Sequence, residues 1–488
     1  MIQLGNRLRN RSGFWKHLGA FFDSSWYPAA FAAICAVSGV HGKAVYIPLA
    51  CLLMVLMIAS SYLAENKRSL ITPFLLSLYC LGTDNPVSFH ENNGDLMGFY
   101  DMDSFVAICL IGVVSASFLV TRLWQEGVFR DAFRKPSAFF LGLLFLDGAL
   151  LCGGLFNGNW HPYNLLYGLL FAGVLTVFYG IFRGILDNRE ESAQYVCKIL
   201  VCMGFMVAAQ ILTVTFRAYA AGTLYEYAPN GNRYMVRDVL QLGWGVSTSI
   251  SGVMVLGIPA AMYLAKDSRL SPAYYGAALL FVAVAMVITA RSSMLVGIAA
   301  MLFCSVICCF AGKSRKVNRF CTLGLVLLGL LAVAYVHFRV MPLEQLWDKL
   351  SWRLRLDGSE KDTRTGLWEK GYQDFLSAPV FGVGFHKGAF AAEDRRLNVF
   401  SNMYHSIIIQ FAAATGSVGL LALLWHGIDL IRAVFRRFTA GKLILLMVPG
   451  MILAMSLVDN FFFYANYQFV YCLFLALIER TDTKRLTE

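Results

Sequence analysis

Apolar runs of close to twenty residues recur along the whole chain, and this repetition limits the possible folds more than any single residue does. About 20 apolar residues in a helix cross a bilayer. The bilayer core offers the backbone no water, so a crossing segment must be a helix or part of a closed barrel. These runs are long and lack the dyad alternation of barrel strands, so they read as helices. Composition agrees: 58% of the residues are hydrophobic and 15% charged, against about half and about a quarter in soluble domains. The expected fold class is an all-α polytopic membrane protein.

The runs fall at 24–40, 44–63, 70–83, 104–121, 138–156, 163–182, 194–214, 244–264, 273–290, 293–311, 320–337, 404–424, 443–458 and 461–478. That predicts about 14 transmembrane helices, within a range of 12–14, the third being short. The net charge of +11 does not point to nucleic acid, because most Lys and Arg residues sit in short connectors on alternate sides of the runs. This is the distribution that orients membrane helices, with basic connectors on the cytoplasmic side. Lys67/Arg68, Arg130/Arg134/Lys135, Lys313/Arg315/Lys316/Arg319 and Arg432/Arg436/Arg437 then lie inside, whereas connector 84–103 holds five acidic residues and no Lys or Arg. The reading is a cytoplasmic amino-terminus, retained rather than cleaved, and a cytoplasmic carboxyl-terminus.

One excursion stands apart. Residues 338–403 form a large extracytoplasmic loop between the eleventh and twelfth spans, inserted in a single transmembrane domain covering 1–488. Leu343, Leu346, Trp347, Leu350 and Leu354 recur at helical spacing among charges, the pattern of an amphipathic helix lying in the interface. A second short helix is expected at 366–376, and Ala378-Pro379-Val380-Phe381-Gly382-Val383-Gly384 then forces a turn. The loop is expected to fold over the outer mouth of the bundle. No 20–50-residue period and no inverted repeat is evident.

The twelve cysteines lie in or beside apolar runs without a Cys-x-x-Cys pair, so neither a disulfide framework nor a zinc site is indicated. No phosphate-loop sequence or metal-ligand cluster occurs, so the expectation is no metal and no cofactor. Asp147 lies inside a predicted span, where an ionisable group is a functional candidate by default, although a local hydrogen-bonding role fits it equally well.

His405 stands where the polar loop meets the next apolar helix. His405-Ser406 is followed by nine residues and then Gly416-Ser417-Val418-Gly419. Arg291 sits between two spans in Thr289-Ala290-Arg291-Ser292-Ser293, and Arg364-Thr365-Gly366-Leu367-Trp368 precedes the Pro379–Gly384 block. Asp459 lies near the outer end of the penultimate span. Together these resemble the His-[Asn/Ser/Gln]-x9-Gly-x-x-Gly and Arg-x-x-x-Trp…Pro-x-x-Gly-x-Gly patterns of the O-antigen ligase and Wzy-type polymerase superfamily. The resemblance covers about 244–470; it departs at Ala290, where the family commonly has Ser, and near Thr248, where an Asn often occurs.

The resemblance implies a GT-C-like membrane glycosyltransferase of the bacterial cytoplasmic membrane, active on its extracytoplasmic face without metal. Such an enzyme moves a glycan from an undecaprenyl-pyrophosphate-linked donor to an acceptor hydroxyl in surface polysaccharide assembly. A polymerase is slightly favoured over a ligase acting on a lipid or surface-polymer acceptor. Implied partners are the donor, a glycan or lipid-linked acceptor, membrane lipids, and flippase and chain-length regulator proteins. Arg291 and Arg364 are the expected catalytic cations, since a guanidinium is permanently charged and forks onto phosphate oxygens. His405 is the expected base or acceptor-orienting group, because a free imidazole titrates near pH ~6.5. Weaker substrate-binding candidates are Tyr404, Asp459 (an indirect role, orienting His405 or an Arg) and Arg217, Arg233 and Arg237, which lie in a tyrosine-rich connector. The competing class is a lipid-linked oligosaccharide flippase, which would place its charges along a central path rather than in one outer loop.

Overall fold

The apolar runs fold as helices. The computed structural model describes residues 2–11, 13–38, 43–79, 102–132, 137–157, 162–170, 174–186, 190–227, 233–235, 242, 247–267, 270–287, 291–311, 315, 318–324, 326, 363–385, 404–436 and 438–482. In chain order the helices are α1 (Ile2–Arg11), α2 (Gly13–Asp23), α3 (Trp26–Ser38), α4 (Lys43–Leu63), α5 (Ile71–Leu76), α6 (Met102–Gln125), α7 (Val128–Ala132), α8 (Phe140–Leu151), α9 (Tyr163–Leu170) and α10 (Leu175–Ile185). They continue with α11 (Glu190–Ala220), α12 (Ser247–Val255), α13 (Gly257–Asp267), α14 (Ser271–Val287), α15 (Arg291–Ala311), α16 (Thr363–Ser377), α17 (Ile407–Phe435), α18 (Ala440–Ser456) and α19 (Ala465–Asp482). A small antiparallel hairpin, β1 (Tyr225–Tyr227) with β2 (Arg233–Met235), follows α11.

Among the described residues, four helical stretches are long and apolar enough to cross a membrane: Glu190–Ala220, Ser247–Lys266, Ser292–Phe310 and Ile407–Phe435. Shorter apolar helices accompany them, including α3, α8, α10 and α18. The chain is a helical, multi-pass membrane protein. The helix expected at 366–376 is α16, and the turn expected after it is present, with Gly382 and Gly384 at positive φ. The amphipathic helix expected at 343–354 lies outside the described residues, as does Arg237.

Three helices are enclosed along most of their length and form the centre. From Val470 to Ile478, α19 is buried at every position, and α12–α13 is enclosed almost as fully. A helix without a polar face belongs inside a bundle rather than on its surface. Helices α10 and α18 pack on α19, and α11, α14 and α15 pack on α13.

Within the run at 163–182, helix α10 starts at Leu175, after Val174 at non-helical φ −137° and ψ 18°. A helix that starts among apolar neighbours leaves its first amides without partners. Asp147 of α8 supplies them: its two carboxylate oxygens accept from the backbone N–H of Leu175 (2.9 Å) and of Thr176 (2.8 Å). The acidic residue inside a predicted span is therefore a cap for a neighbouring helix. Asp147→Ala is expected to cost about 1–3 kcal/mol, the penalty of buried donors left unpaired. A thermal unfolding midpoint in detergent that matched the unsubstituted protein would refute that role.

At the other end of α10, Arg183 pairs with Glu479 of α19 (3.1 Å), and the Tyr179 hydroxyl also donates to Glu479. Arg480 returns to the Arg183 carbonyl. These contacts fix α10 against the central helix.

The amino-terminal segment, which in sequence shows only a basic end, folds as α1 and α2 against α4. Gly5 makes the close approach possible, since a Cβ there would run into the Tyr62 carbonyl.

Candidate active site

The site is built where α17 begins. Ser406 is its N-cap, with extended backbone (φ −158°), and His405 just before it occupies the left-handed region (φ 50°). Few non-glycine residues adopt that conformation, and those that do merit a functional reading. Local contacts hold it. The Tyr404 N–H donates to Gln410 Oε1 (3.1 Å), one turn into the helix, and the Tyr404 hydroxyl donates to Asp374 of α16 (2.5 Å). Tyr404 is wholly buried. Burial and the neighbouring Asp374 carboxylate push its hydroxyl far above the usual phenol range, so it stays protonated and donates.

His405 itself keeps partial access to solvent, at 28% side-chain exposure. Its Nδ1 lies 3.0 Å from Asp459 Oδ1 and 3.3 Å from the Asn460 amide. Asp459 belongs to the turn between α18 and α19 and also accepts from the Asn460 N–H (2.8 Å). The shorter contact is to a carboxylate oxygen, which can only accept, so Nδ1 donates to Asp459 and Nε2 is left as the acceptor; the Asn460 Nδ2, itself a donor, then makes no hydrogen bond to Nδ1.

A second feature lies deeper. The glycines of Gly416-x-x-Gly419 read in sequence as points of close helix approach, but Gly416 is a break (φ 66°, ψ −156°) inside α17. The 378–384 turn docks into that break. The Ser417 N–H donates to the Pro379 carbonyl (2.8 Å), Val418 N–H to Val380 (3.2 Å), and Val383 N–H to Ala413 (2.8 Å). Amides released by the break thus find new partners, as buried backbone groups must. The same turn reaches the α8–α9 connector, where the Gly154 N–H donates to the Phe381 carbonyl (2.8 Å). Phe385, Phe411 and Phe463 close the space behind, with ring centroids 5.8–6.1 Å apart for Phe411–Phe463 and Phe385–Phe463.

The remaining candidates fall as follows. Arg291 is the first residue of α15; two positions on, Ser293 donates to the Thr248 carbonyl (3.2 Å) and lies 3.2 Å from Ser251 Oγ. Helix α12 is in turn bound to the Asp459 side of the bundle, because the Tyr467 hydroxyl donates to the Ser249 carbonyl (2.6 Å). The start of α15 therefore connects through α12 to the segment carrying Asp459. Arg364 is the second residue of α16, whose later residues Gly371 and Asp374 abut Tyr404. The side chains of Arg291, Arg364 and Arg233 lie outside the described positions. Arg233 is paired with Tyr227 in the hairpin, and Arg217 is exposed in the last turn of α11.

The structure thus joins His405 to Asp459 directly and gives Tyr404 a supporting place turned toward Asp374. Sequence reasoning missed Asp374, Gln410 and Asn460. Asn460, fully buried beside Asp459, was marked by two consecutive polar residues closing an apolar run. Asp374 and Gln410 had no local signal. Among the described residues no group of three or more potential metal ligands occurs.

Residues 276–424 match the family model Wzy_C, described as O-Antigen ligase. The matched stretch runs from α14 into α17 and takes in Arg291, Arg364, His405 and the Gly416 break. No curated protein matches the chain. The motif at the head of α17, its partners across the bundle and this match lead to one assignment: the chain carries, over residues 276–424, the domain of the O-antigen ligase/Wzy superfamily.

Proposed function

We propose that this protein is a multi-pass glycosyltransferase of about fourteen spans that acts on the extracytoplasmic side of a bacterial cytoplasmic membrane, both termini being cytoplasmic. It transfers a glycan from an undecaprenyl-pyrophosphate carrier to an acceptor hydroxyl. The observation that carries this reading is the His405–Asp459 pair at 3.0 Å, with His405 partly open to solvent at the start of a helix inside the matched domain.

The acceptor hydroxyl gives its proton to His405 Nε2 as its oxygen forms a bond to the anomeric carbon of the donor. The bond from that carbon to the pyrophosphate oxygen breaks, and the carrier pyrophosphate leaves with the electron pair. Arg291 and Arg364 hold that developing charge. Preorganised cations in a partly dehydrated site supply much of such catalysis. Asp459 keeps the imidazole in the tautomer that leaves Nε2 free, and the Asn460 backbone N–H, donating to Asp459, holds the carboxylate in place. Arg217, Arg233 and Arg237 are weaker glycan- or phosphate-binding positions, and Tyr404 acts through its buried support of the turn.

Asp459→Asn tests the orienting role. An amide can present its NH2 group to Nδ1 and favour the wrong tautomer. The expected result is a drop of roughly 10–100-fold in turnover with KM nearly unchanged, the scale seen when orienting partners of catalytic or ligating groups are removed. Unchanged turnover would remove Asp459 from the mechanism.

Polymerase action, extending a lipid-linked repeat chain, is preferred over ligation to another acceptor. Deleting the gene and examining lipid-linked oligosaccharides separates the two. Loss of every multimer is the polymerase result, and intact polymer stranded on its lipid is the ligase result.

A further inference from the structure

Beside His405 lies a buried polar side chain that the turn around it does not use. Asn460 has no exposed surface. It stands at the N-cap of the short helical turn Phe461–Phe463, where an asparagine side chain ordinarily accepts from an amide of the turn that follows. Here it makes no such bond. Other groups take those amides: the Phe462 N–H donates to Ser456 Oγ (2.9 Å), and the Phe463 N–H to the Asn460 backbone carbonyl (2.9 Å). The Asn460 N–H is engaged as well, by the Asp459 carboxylate (2.8 Å). The turn is therefore complete without the side-chain amide.

A buried amide without partners is costly, and one that a protein keeps calls for an explanation. Among the described residues, Asn460 Oδ1 has no donor. The NH2 group faces His405 Nδ1 at 3.3 Å, but that nitrogen carries the hydrogen given to Asp459 Oδ1 (3.0 Å), so two donors meet. Neither end of the amide makes a hydrogen bond in this orientation. Its two ends are nearly equal in size, and the partners an amide finds decide which way it turns. Turned over, it brings Oδ1 to the Nδ1–H. That removes the contact between donors and gives the oxygen a hydrogen to accept. One N–H shared between two oxygens is common at helix termini, and His405 stands at the head of α17.

We propose that Asn460 is a positioning residue for glycan transfer: its side-chain oxygen takes the longer arm of a hydrogen bond from His405 Nδ1, shared with Asp459. The inference rests on His405 serving as the base of the proposed reaction. A single oxygen leaves the imidazole free to swing about the axis of its one bond. A second oxygen, from the next residue along the chain, fixes the plane of the ring and so the direction in which Nε2 meets the hydroxyl of the glycan acceptor. It also disfavours the tautomer that strips Nδ1 of its hydrogen, because the bare nitrogen would then face two oxygens.

The test measures kcat, KM and the thermal unfolding midpoint of the full-length protein in one detergent, with extracted lipid-linked glycan as donor. The variants are Asp459→Asn, the exchanged pair Asp459→Asn/Asn460→Asp, and Asn460→Leu. The exchange moves the carboxylate by one residue, keeps the net charge and returns an oxygen to the Nδ1–H. Its kcat is expected to be at least about fivefold above that of Asp459→Asn, the scale of one hydrogen bond. Asn460→Leu keeps the bulk and removes the oxygen, so kcat is expected to fall about three- to tenfold with KM unchanged. Its midpoint is expected to hold or rise, since an apolar group of similar shape replaces a poorly paired buried amide. A side chain that only held the fold would lower the midpoint instead. Full kcat in Asn460→Leu overturns the proposal, as does a loss of kcat that only follows a lowered midpoint. So does an exchanged pair that folds and is no faster than Asp459→Asn; if the pair does not fold, Asn460→Leu decides. Unchanged kcat in Asp459→Asn marks a different failure, that of the His405–Asp459 reading beneath the proposal.

Discussion

Purified protein carrying His405→Ala is expected to transfer glycan about 10²–10⁴-fold more slowly than the unsubstituted enzyme, the usual contribution of a positioned general base. Three observations make this the most severe single substitution at the site. His405 is held in a left-handed backbone conformation; its Nδ1 is engaged by Asp459, and its ring keeps access to solvent. A histidine serving only to tie the loop to the α18–α19 turn would show a different pattern. In that case the unfolding midpoint would fall, and transfer would fall only as far as the folded fraction did. The measurement is therefore paired: turnover with extracted lipid-linked glycan, and thermal unfolding in the same detergent. A stable His405→Ala protein with full turnover would end the assignment. Arg364→Ala, assayed alongside, is expected to raise the barrier through the departing pyrophosphate rather than through the acceptor. Its loss should therefore persist at high pH.

Gly416→Ala is the second large effect, and it acts on structure first. At φ 66° and ψ −156° the backbone lies in a region open essentially to glycine alone. A Cβ at this position would also run into the Val380 carbonyl. Backbone strain of this kind costs about 1–3 kcal/mol before any steric clash is counted. The folded protein can avoid it only by expelling the 378–384 turn, which breaks the bonds from Ser417 and Val418 to Pro379 and Val380. The expected result is a lowered unfolding midpoint and faster proteolytic cleavage near residue 380 than in the unsubstituted protein. Activity should fall with it, because the turn is bound to α17, the helix whose start carries the site. Gly427→Ala, at a helical glycine of the same helix with open space around it, should leave all three readouts unchanged. An unaltered midpoint and cleavage pattern in Gly416→Ala would show that the turn does not depend on the break.

Much of this arrangement could be read along the chain. Runs of apolar residues near the length of a bilayer crossing specify helices without reference to neighbours, because the backbone has no other partner in lipid. The helix at 363–377 and the turn after it were legible from local residues, through apolar spacing and then Pro379, Gly382 and Gly384. His405 was legible through its spacing to the glycines, and Asp459 through its position at the end of an apolar run.

What these residues do to one another was not legible. Gly416 and Gly419 have the spacing of small residues on a smooth helix face, and nothing in their neighbourhood announces that one of them breaks the helix. The break is stable only because Pro379 and Val380, some forty residues earlier in the chain, bring carbonyls to the freed amides. The run at 163–182 has the composition of one helix, yet α10 starts inside it at Leu175, because Asp147 from another helix can cap its first amides. Membership of the helical class, the site of the histidine and the presence of a polar excursion were thus determined by local sequence, since propensity and apolar length act over one or two turns. The pairing of His405 with Asp459, the break at Gly416 and the start of α10 at Leu175 were decided only by tertiary structure. They depend on hydrogen-bond partners and packing surfaces that meet across the bundle, and short-range sequence carries no record of which distant group will arrive.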